Sequence, residues 1–393
     1  MAAAQPRDMS LAGRRETVRT VLGDVAADRL GHVQMHEHLL IDLWQGVPAS
    51  AKQADLQRYT EPLRPGNYYW SRRHHSRDDL QLLDVSVAID EVTAYRGAGG
   101  GTIVDVTSVG LGRDPLAIAQ ISRAAGVHVV MGCGYYYADY HPRDIVAADL
   151  DAIAAEIVSD LNDGVGETGI RAGIIGEIGM SWPPQPPELV VLEAAAHAHL
   201  ATGITISLHP GRDARSPFDI LRRLEQQGVP PQAIVMGHVE RTLTETSAIR
   251  ELAASGCFVE FDLFGQESSY YSLAPSVHLP NDAVRADFIV DLAAHGYLEQ
   301  VLISQDVCHK TNLTRYGGEG YTHVLQHVIP LLAAKGMTPS QVAAITRSNP
   351  VRALTGSAHG LVNACPADQH VRGDAIHAQA VEGPGADAAA DGR

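Results

Sequence analysis

Positive charge and sulfur are both scarce in this chain. Lys and Arg number 30 against 46 Asp and Glu, a formal net charge of −16. With no Lys/Arg-rich run as a local exception, such a chain repels nucleic acid and anionic membrane surfaces, and neither is expected as a partner. The four cysteines, Cys133, Cys257, Cys308 and Cys365, form no CxxC pair and no framework of evident spacing. They are expected as reduced, mostly buried thiols. Nowhere do about 18 apolar residues run together, which removes the spanning-helix reading. The opening "MAAAQPRDMSLAGRRE" lacks an apolar signal-peptide core, so a cytoplasmic location is the expectation. Two catalytic signatures are missing as well. No G-x-G-x-x-G turn follows the first strand-like run, against a dinucleotide enzyme, and no G-x-S-x-G elbow occurs, against a serine hydrolase.

What is present is core material. At 45% hydrophobic and 19% charged residues, the chain has the composition of a globular protein with one large core. Short apolar or β-branched runs recur eight times: "HVQMHEH" (32–38), "GTIVDVT" (101–107), "VHVVMGCG" (127–134), "RAGIIGEIG" (171–179), "GITISLH" (203–209), "AIVMGH" (233–238), "CFVEFD" (257–262) and "QVLISQD" (300–306). Most are separated by helical patterns, as at 84–99, 114–126, 187–203 and 217–228, several ending in Gly. That alternation predicts an α/β fold, a (β/α)8 TIM barrel, ahead of an open doubly wound sheet. Residues 1–15 read as a flexible arm, 16–362 as the barrel domain and 363–393, rich in Ala, Gly and Asp, as a disordered tail. The segment 43–83 is too long for an ordinary loop after the first strand. It is expected to be either a lobe over the barrel mouth or a surface element.

In a strand, residues two apart share a face, so His36 and His38 project together. A lone histidine pair could be satisfied core polarity, but further donors end later strands: Glu177, His209, His238 and Asp306. Each would be costly alone at the end of an apolar strand, and a shared divalent cation offsets all of these costs. Six donors exceed what one four-coordinate ion needs, which points to two ions.

The motifs "TVRTVLGDVAADRLGHVQMHEHLLID", "GIIGEIGMSWP", "LHPGR", "GHVERT" and "VLISQDVCHK" together resemble the phosphotriesterase family of the amidohydrolase superfamily, over about Thr17 to Leu354. The resemblance implies that His36, His38 and Asp306 hold one ion and His209 and His238 the other, with a bridging residue on the fourth strand. In many phosphotriesterases that bridge is a carboxylated lysine. Here it is Glu177, and "RAGIIGEIG" contains no lysine. The glutamate, with "HPGRDARSPFDILRRLEQQG", "VEFDLFG" and "RYGGEGYTHVLQHVIP", is similar to the branch called phosphotriesterase-related protein. That branch implies hydrolysis of N-acetylated small molecules such as N-acetyltaurine, whose free end is an anion. Other glutamate-bridged relatives look like sugar-lactone hydrolases.

The expected enzyme is therefore a binuclear hydrolase in which a metal-bridging hydroxide attacks a carbonyl and Asp306 relays the proton. The expected substrate is a small N-acyl amide, with lactones, esters or phosphotriesters of the same family as alternatives. A metal-binding barrel without catalysis is the non-enzyme alternative. Zinc is the first choice of ion, before manganese, cobalt or iron, and relatives allow a homodimer. For substrate binding the candidates are Arg212, whose guanidinium suits an oxygen-rich anion, and Tyr136, within "YYY" after the third strand. Arg215 reads as a loop salt bridge, Asp262 as a turn cap or pocket wall, and Cys308 as a small buried hydrophobe not paired with His309. His141, His278 and His309 read as loop histidines with ordinary hydrogen bonds.

Overall fold

All eight apolar runs become strands of one parallel sheet. The structure, a computed structural model, describes residues 17–356 apart from 268–270, 272, 273 and 278. The predicted arm, the predicted tail with the boundary at 362, Cys365 and His278 lie outside the described residues.

The chain opens with an antiparallel hairpin, β1 (Thr17–Thr20) and β2 (Gly23–Ala26). The first barrel strand, β3 (His32–Glu37), follows, and then a short pair, β4 (Ile41–Asp42) and β5 (Gln81–Leu82), which ties together the two ends of the long insertion. The remaining barrel strands are β6 (Gly100–Asp105), β7 (His128–Cys133), β8 (Ile174–Gly179), β9 (Ile206–His209), β10 (Ile234–Met236), β11 (Phe258–Phe261) and β12 (Val301–Ile303). Their order, β12-β11-β10-β9-β8-β7-β6-β3, is that of a barrel sheet nearly closed on itself. Helices α1 (Tyr68–His74) in the insertion, α2 (Val85–Gly97), α3 (Pro115–Ala125), α4 (Leu150–Asn162), α5 (Pro186–Thr202), α6 (Ser216–Gln226), α7 (Val239–Thr242), α8 (Thr246–Ala254) and α9 (Asp282–Ala294) occupy the connections. α3 and α5 start with proline and end on left-handed Gly126 and Gly203, the glycine ends that the sequence led one to expect. Among the described residues no helix is long and apolar enough to cross a membrane.

Two apolar clusters hold the barrel. The larger lies between strands and helices, and a smaller one joins Val33, Met35, Val104, Val130, Ile174, Val235, Phe258 and Leu302 from seven of the eight strands. Because it draws on strands all around the sheet, the smaller cluster fills the barrel's interior. Strict alternation would turn Met35 away from the histidines' side. Instead β3 carries one extra residue against β6, with Gln34 opposite Ile103 but Glu37 opposite Asp105. β8 does the same against β9, with Ile175 opposite Ile206 but Ile178 opposite Leu208. These bulges let Val33, Met35 and Ile174 plug the interior while His36 and Glu177, just beyond, reach the mouth above it.

The junction between β3 and β12 is made mostly by the Glu37 side chain, with one backbone bond beside it. The Glu37 carboxylate accepts from Ser304 Oγ (2.7 Å), the Gln305 amide (2.9 Å) and the Val307 amide (2.9 Å), and the Asp306 amide donates to His36 O at 3.1 Å.

Candidate metal centre

Glu177 lies at the middle of four imidazoles. Its Oε2 is 2.9 Å from His209 Nδ1, 3.5 Å from His238 Nε2 and 3.6 Å from His36 Nε2, and its Oε1 is 3.4 Å from His38 Nε2. Asp306 Oδ1 is 3.3 Å from the same His38 nitrogen. Three triads here have donor atoms within 4.8 Å of one another: His36, His38 and Asp306; Glu177, His209 and His238; and His36, His238 and Asp262. The structure thus brings all six predicted donors into one cluster.

Further side chains aim these donors. Asp262 accepts from the His238 backbone amide (2.8 Å) and lies 2.8 Å from His238 Nδ1. It also approaches His36 Nδ1 at 3.4 Å, where Glu260 stands at 3.3 Å. Thr107 Oγ1 meets His38 Nδ1 at 2.9 Å. Carboxylates on the far ring nitrogen fix an imidazole's tautomer and orientation. Asp262 therefore does more than cap a turn, and Glu260 was missed. Both sit two apart in "VEFD", and the same-face rule that singled out His36 and His38 applies to them equally. Arg241 and Glu37 were missed too, with no comparable signal in the sequence.

The backbone is special where donors are carried. Among the described residues, the non-glycine residues with positive φ are His75 (53°), His238 (51°) and Asp306 (49°). Such conformations are uncommon outside Gly, Asn, Asp and His, and they cluster at functional sites. Gly176, immediately before Glu177, has φ of 123°, and a Cβ there would lie 2.2 Å from Ser207 O. Only glycine fits.

The charge balance of the cluster asks for cations. Burial pushes the carboxyls of Glu177 and Asp306 up, but the surrounding histidines outweigh it and hold both below the usual range, so both are ionised. Burial pushes His36 down, yet Glu177, Asp262 and Glu260 outweigh it and favour a protonated ring. His38 behaves likewise, at about 9, through Asp306 and Glu177. Protons thus supply the positive charge that buried carboxylates require. His36 Nε2 is buried without a hydrogen-bond partner. An orphan imidazole nitrogen facing ionised carboxylates is a donor set that fits a divalent ion.

All of these donors except the fully buried His36 line a cavity of about 540 Å³. Tyr136 Oη lies 3.1 Å from His209 Nδ1 and 3.3 Å from Nε2. Tyr137 also lines the cavity, whereas Tyr135 turns away to Glu156. Arg212 enters beside Tyr271, donating from Nε to the phenol oxygen at 2.8 Å. Arg241 Nη2 is 2.9 Å from His209 Nε2 and donates to Pro210 O at 3.1 Å, while its buried Nη1 has no partner. A cation taking the His209 Nδ1 lone pair would leave Nε2 protonated, and Arg241 could then no longer donate to it. The insertion contributes Leu43, Tyr69, Arg72 and His75 to the cavity wall, as a lobe over the mouth would. Arg215 is paired with Asp213 in its loop, and His141 with Tyr136 O. One expectation fails. Cys308 Sγ does lie 3.2 Å from His309 Nδ1, because the backbone leaving β12 turns both side chains toward the cavity. Burial and the nearby Asp306 and Glu177 push the thiol's pKa well up, so it remains a thiol. Cys133, Cys257 and Cys308 are all free and buried.

The family model for the phosphotriesterase family matches residues 16–354. The N-acetyltaurine hydrolase of Danio rerio is 35% identical over 345 residues, covering 87% of this chain and 98% of that protein. A resiniferatoxin-binding protein from Rhodobacter sphaeroides superimposes with a TM-score of 0.82 at 34% identity, covering 88% of this chain and 97% of that one. The phosphotriesterase homology protein of Escherichia coli, solved with phosphate in its active site, gives 0.68 at 26% identity, covering 83% and 99%.

Proposed function

This chain belongs to the phosphotriesterase family, and from that premise we propose that it is a binuclear metal-dependent hydrolase of small anionic N-acyl amides, of the N-acetyl amino acid or N-acetyl aminosulfonate type. The observation that carries the reading is the placement of two guanidinium groups, Arg212 and Arg241, in the same cavity that five of the six donors line. The names of relatives matched over nearly their full length agree with an N-acetylated, sulfonate-bearing substrate.

His36, His38 and Asp306 would hold one ion, His209 and His238 the other, with Glu177 between. Zinc is the first choice before manganese, cobalt or iron. Bound there, two such ions would supply hydroxide at neutral pH and polarise the scissile carbonyl. The chain's own residues do the rest. Asp306, ionised and at the cavity floor, accepts the proton from the attacking water and returns it to the departing amine nitrogen, so that an acid and an amine leave. Tyr136 stays a phenol, since burial and then Glu177 push its pKa up, and it can donate to the carbonyl oxygen. Arg212, positioned by Tyr271, and the unpartnered Nη1 of Arg241 bind the substrate's anionic end, where hydrogen bonds to a charged group contribute about 1.5–3 kcal/mol each.

The test is a hydrolysis panel on zinc-loaded protein with N-acetyl aminosulfonates, N-acetyl amino acids, neutral N-acetyl amines, lactones, aryl esters and a phosphotriester. Anionic amides should exceed neutral ones in kcat/KM by roughly 10–100-fold, the equivalent of one such bond. Arg212→Met should erase that preference, chiefly through KM. A lactone or phosphotriester as best substrate, or equal rates on neutral and anionic amides, overturns the proposal.

A further inference from the structure

A second set of metal-binding side chains stands outside the catalytic cavity. Glu319, His323 and His327 present donor atoms within 4.8 Å of one another. His323 opens the helical stretch that passes through the π-turn Val324–Val328 into α10 (Ile329–Ala334). His327 follows four residues on, its ring centroid 5.3 Å away, as i, i+4 spacing on a helix requires. Glu319 comes from the preceding loop, its Oε2 3.4 Å from His323 Nδ1.

His323 is nine-tenths buried, and its Nδ1 is shielded from solvent without a hydrogen-bond partner. The other ring nitrogen explains which way it is set. Nε2 lies 2.6 Å from Asp282 Oδ2. Asp282 also accepts from Arg285 (2.6 Å) and the Gly265 amide (3.0 Å), an acceptor's environment that marks it as ionised. Nε2 is therefore placed to donate to Asp282, which turns Nδ1 toward Glu319. This is the carboxylate–histidine arrangement that orients metal-bound imidazoles.

We propose that Glu319, His323 and His327 form a further divalent-metal site, of the kind that takes zinc or a similar borderline ion with water as fourth ligand. Its position gives it a role. Gly265 packs against it, since a Cβ there would lie 3.2 Å from the His323 ring and 3.3 Å from Glu319. The next residue, Gln266, donates to Asp306 O (2.9 Å) and Gln305 O (3.1 Å). An ion bound here pins the loop after β11 to the helix that opens at His323, and so steadies the backbone carrying Asp306.

The test uses the full chain with Glu319→Ala and His327→Ala, both at exposed positions that the fold does not need. After equilibrium dialysis against buffered free zinc, wild type should retain one more ion per chain than the double variant, and the same zinc should raise the thermal midpoint of wild type more than that of the variant. Asp282→Asn, which keeps all three donors, should weaken binding at this site by about 10–100-fold. Cobalt-loaded wild type minus cobalt-loaded variant should show the ligand-field absorption of a nitrogen-ligated ion. Equal metal content in wild type and double variant, or a featureless cobalt difference spectrum, overturns the site. Neither result depends on which substrate the enzyme hydrolyses.

Discussion

At residue 306 the chemistry and the backbone make the same demand. Asp306 supplies a donor to the cluster while holding φ at 49°, a conformation that Asn tolerates and Ala resists. Asp306→Asn is therefore the informative variant. It should keep the fold and reduce kcat by about 10²–10⁴-fold, the usual contribution of a positioned acid–base group. Undiminished turnover in steady-state assays would remove Asp306 from the proton relay. His32 gives a prediction about stability. Burial, and then Arg347, lower its pKa from 6.5 to about 4. The folded state thus keeps the ring neutral, and the unfolded chain takes up a proton first as pH falls. Its contribution is fully present above pH 6.5 and is lost as pH drops toward 4, about 2 kcal/mol being gone at pH 5. Denaturant titrations at pH 7 and 5 should show that loss in wild type and not in His32→Gln. The six donors themselves were legible because each is a polar residue ending an apolar run. Arg241 was not, since "GHVERT" offers no sign that its guanidinium turns back beneath His209.

Among elements, the strands were legible and their registers were not. Apolar runs bounded by turn residues identify a buried strand from one segment alone, and α3 and α5 announced their C-termini with Gly. A bulge belongs to a pair of strands. Nothing in "HVQMHEH" tells that β3 has one residue more than β6, so Met35 was turned to the wrong side. Glu37 was equally hidden, because its partners are backbone amides nearly 270 positions away in sequence. Replacing it tests the β3–β12 junction. Glu37→Gln puts a donor where amides already donate, and should cost roughly 2–3 kcal/mol. It should also lower kcat by loosening the loop that carries Asp306. Unchanged unfolding midpoint and unchanged kcat would show that the junction holds without it.

For the whole molecule, folding and metal loading should be coupled. The donors come from five different strands, so the cluster exists only when the barrel is closed, and ions that bind it stabilise the folded state. At a free ion concentration 1,000-fold above its dissociation constant, one ion contributes about 4 kcal/mol. Calorimetry on chelator-treated protein should give a lower Tm, restored by zinc; identical scans would indicate that no tight site forms. The barrel and its donors could be read from sequence because one architecture repeats eight times and one end of it does chemistry. The cavity wall could not, because the insertion's Tyr69 and His75 gain meaning only when the chain folds back over the mouth. The left-handed turns at His238 and Asp306 set a limit on how this centre can change. Most positions in a cavity accept most residues of suitable size, but these two admit only the few side chains at ease with positive φ. Of those, only His and Asp are strong metal ligands. A library that randomised all six donors equally would spend most of its members on backbones that cannot form. New activities in this scaffold are better sought in the insertion and the arginines, with the two twisted positions left as they are.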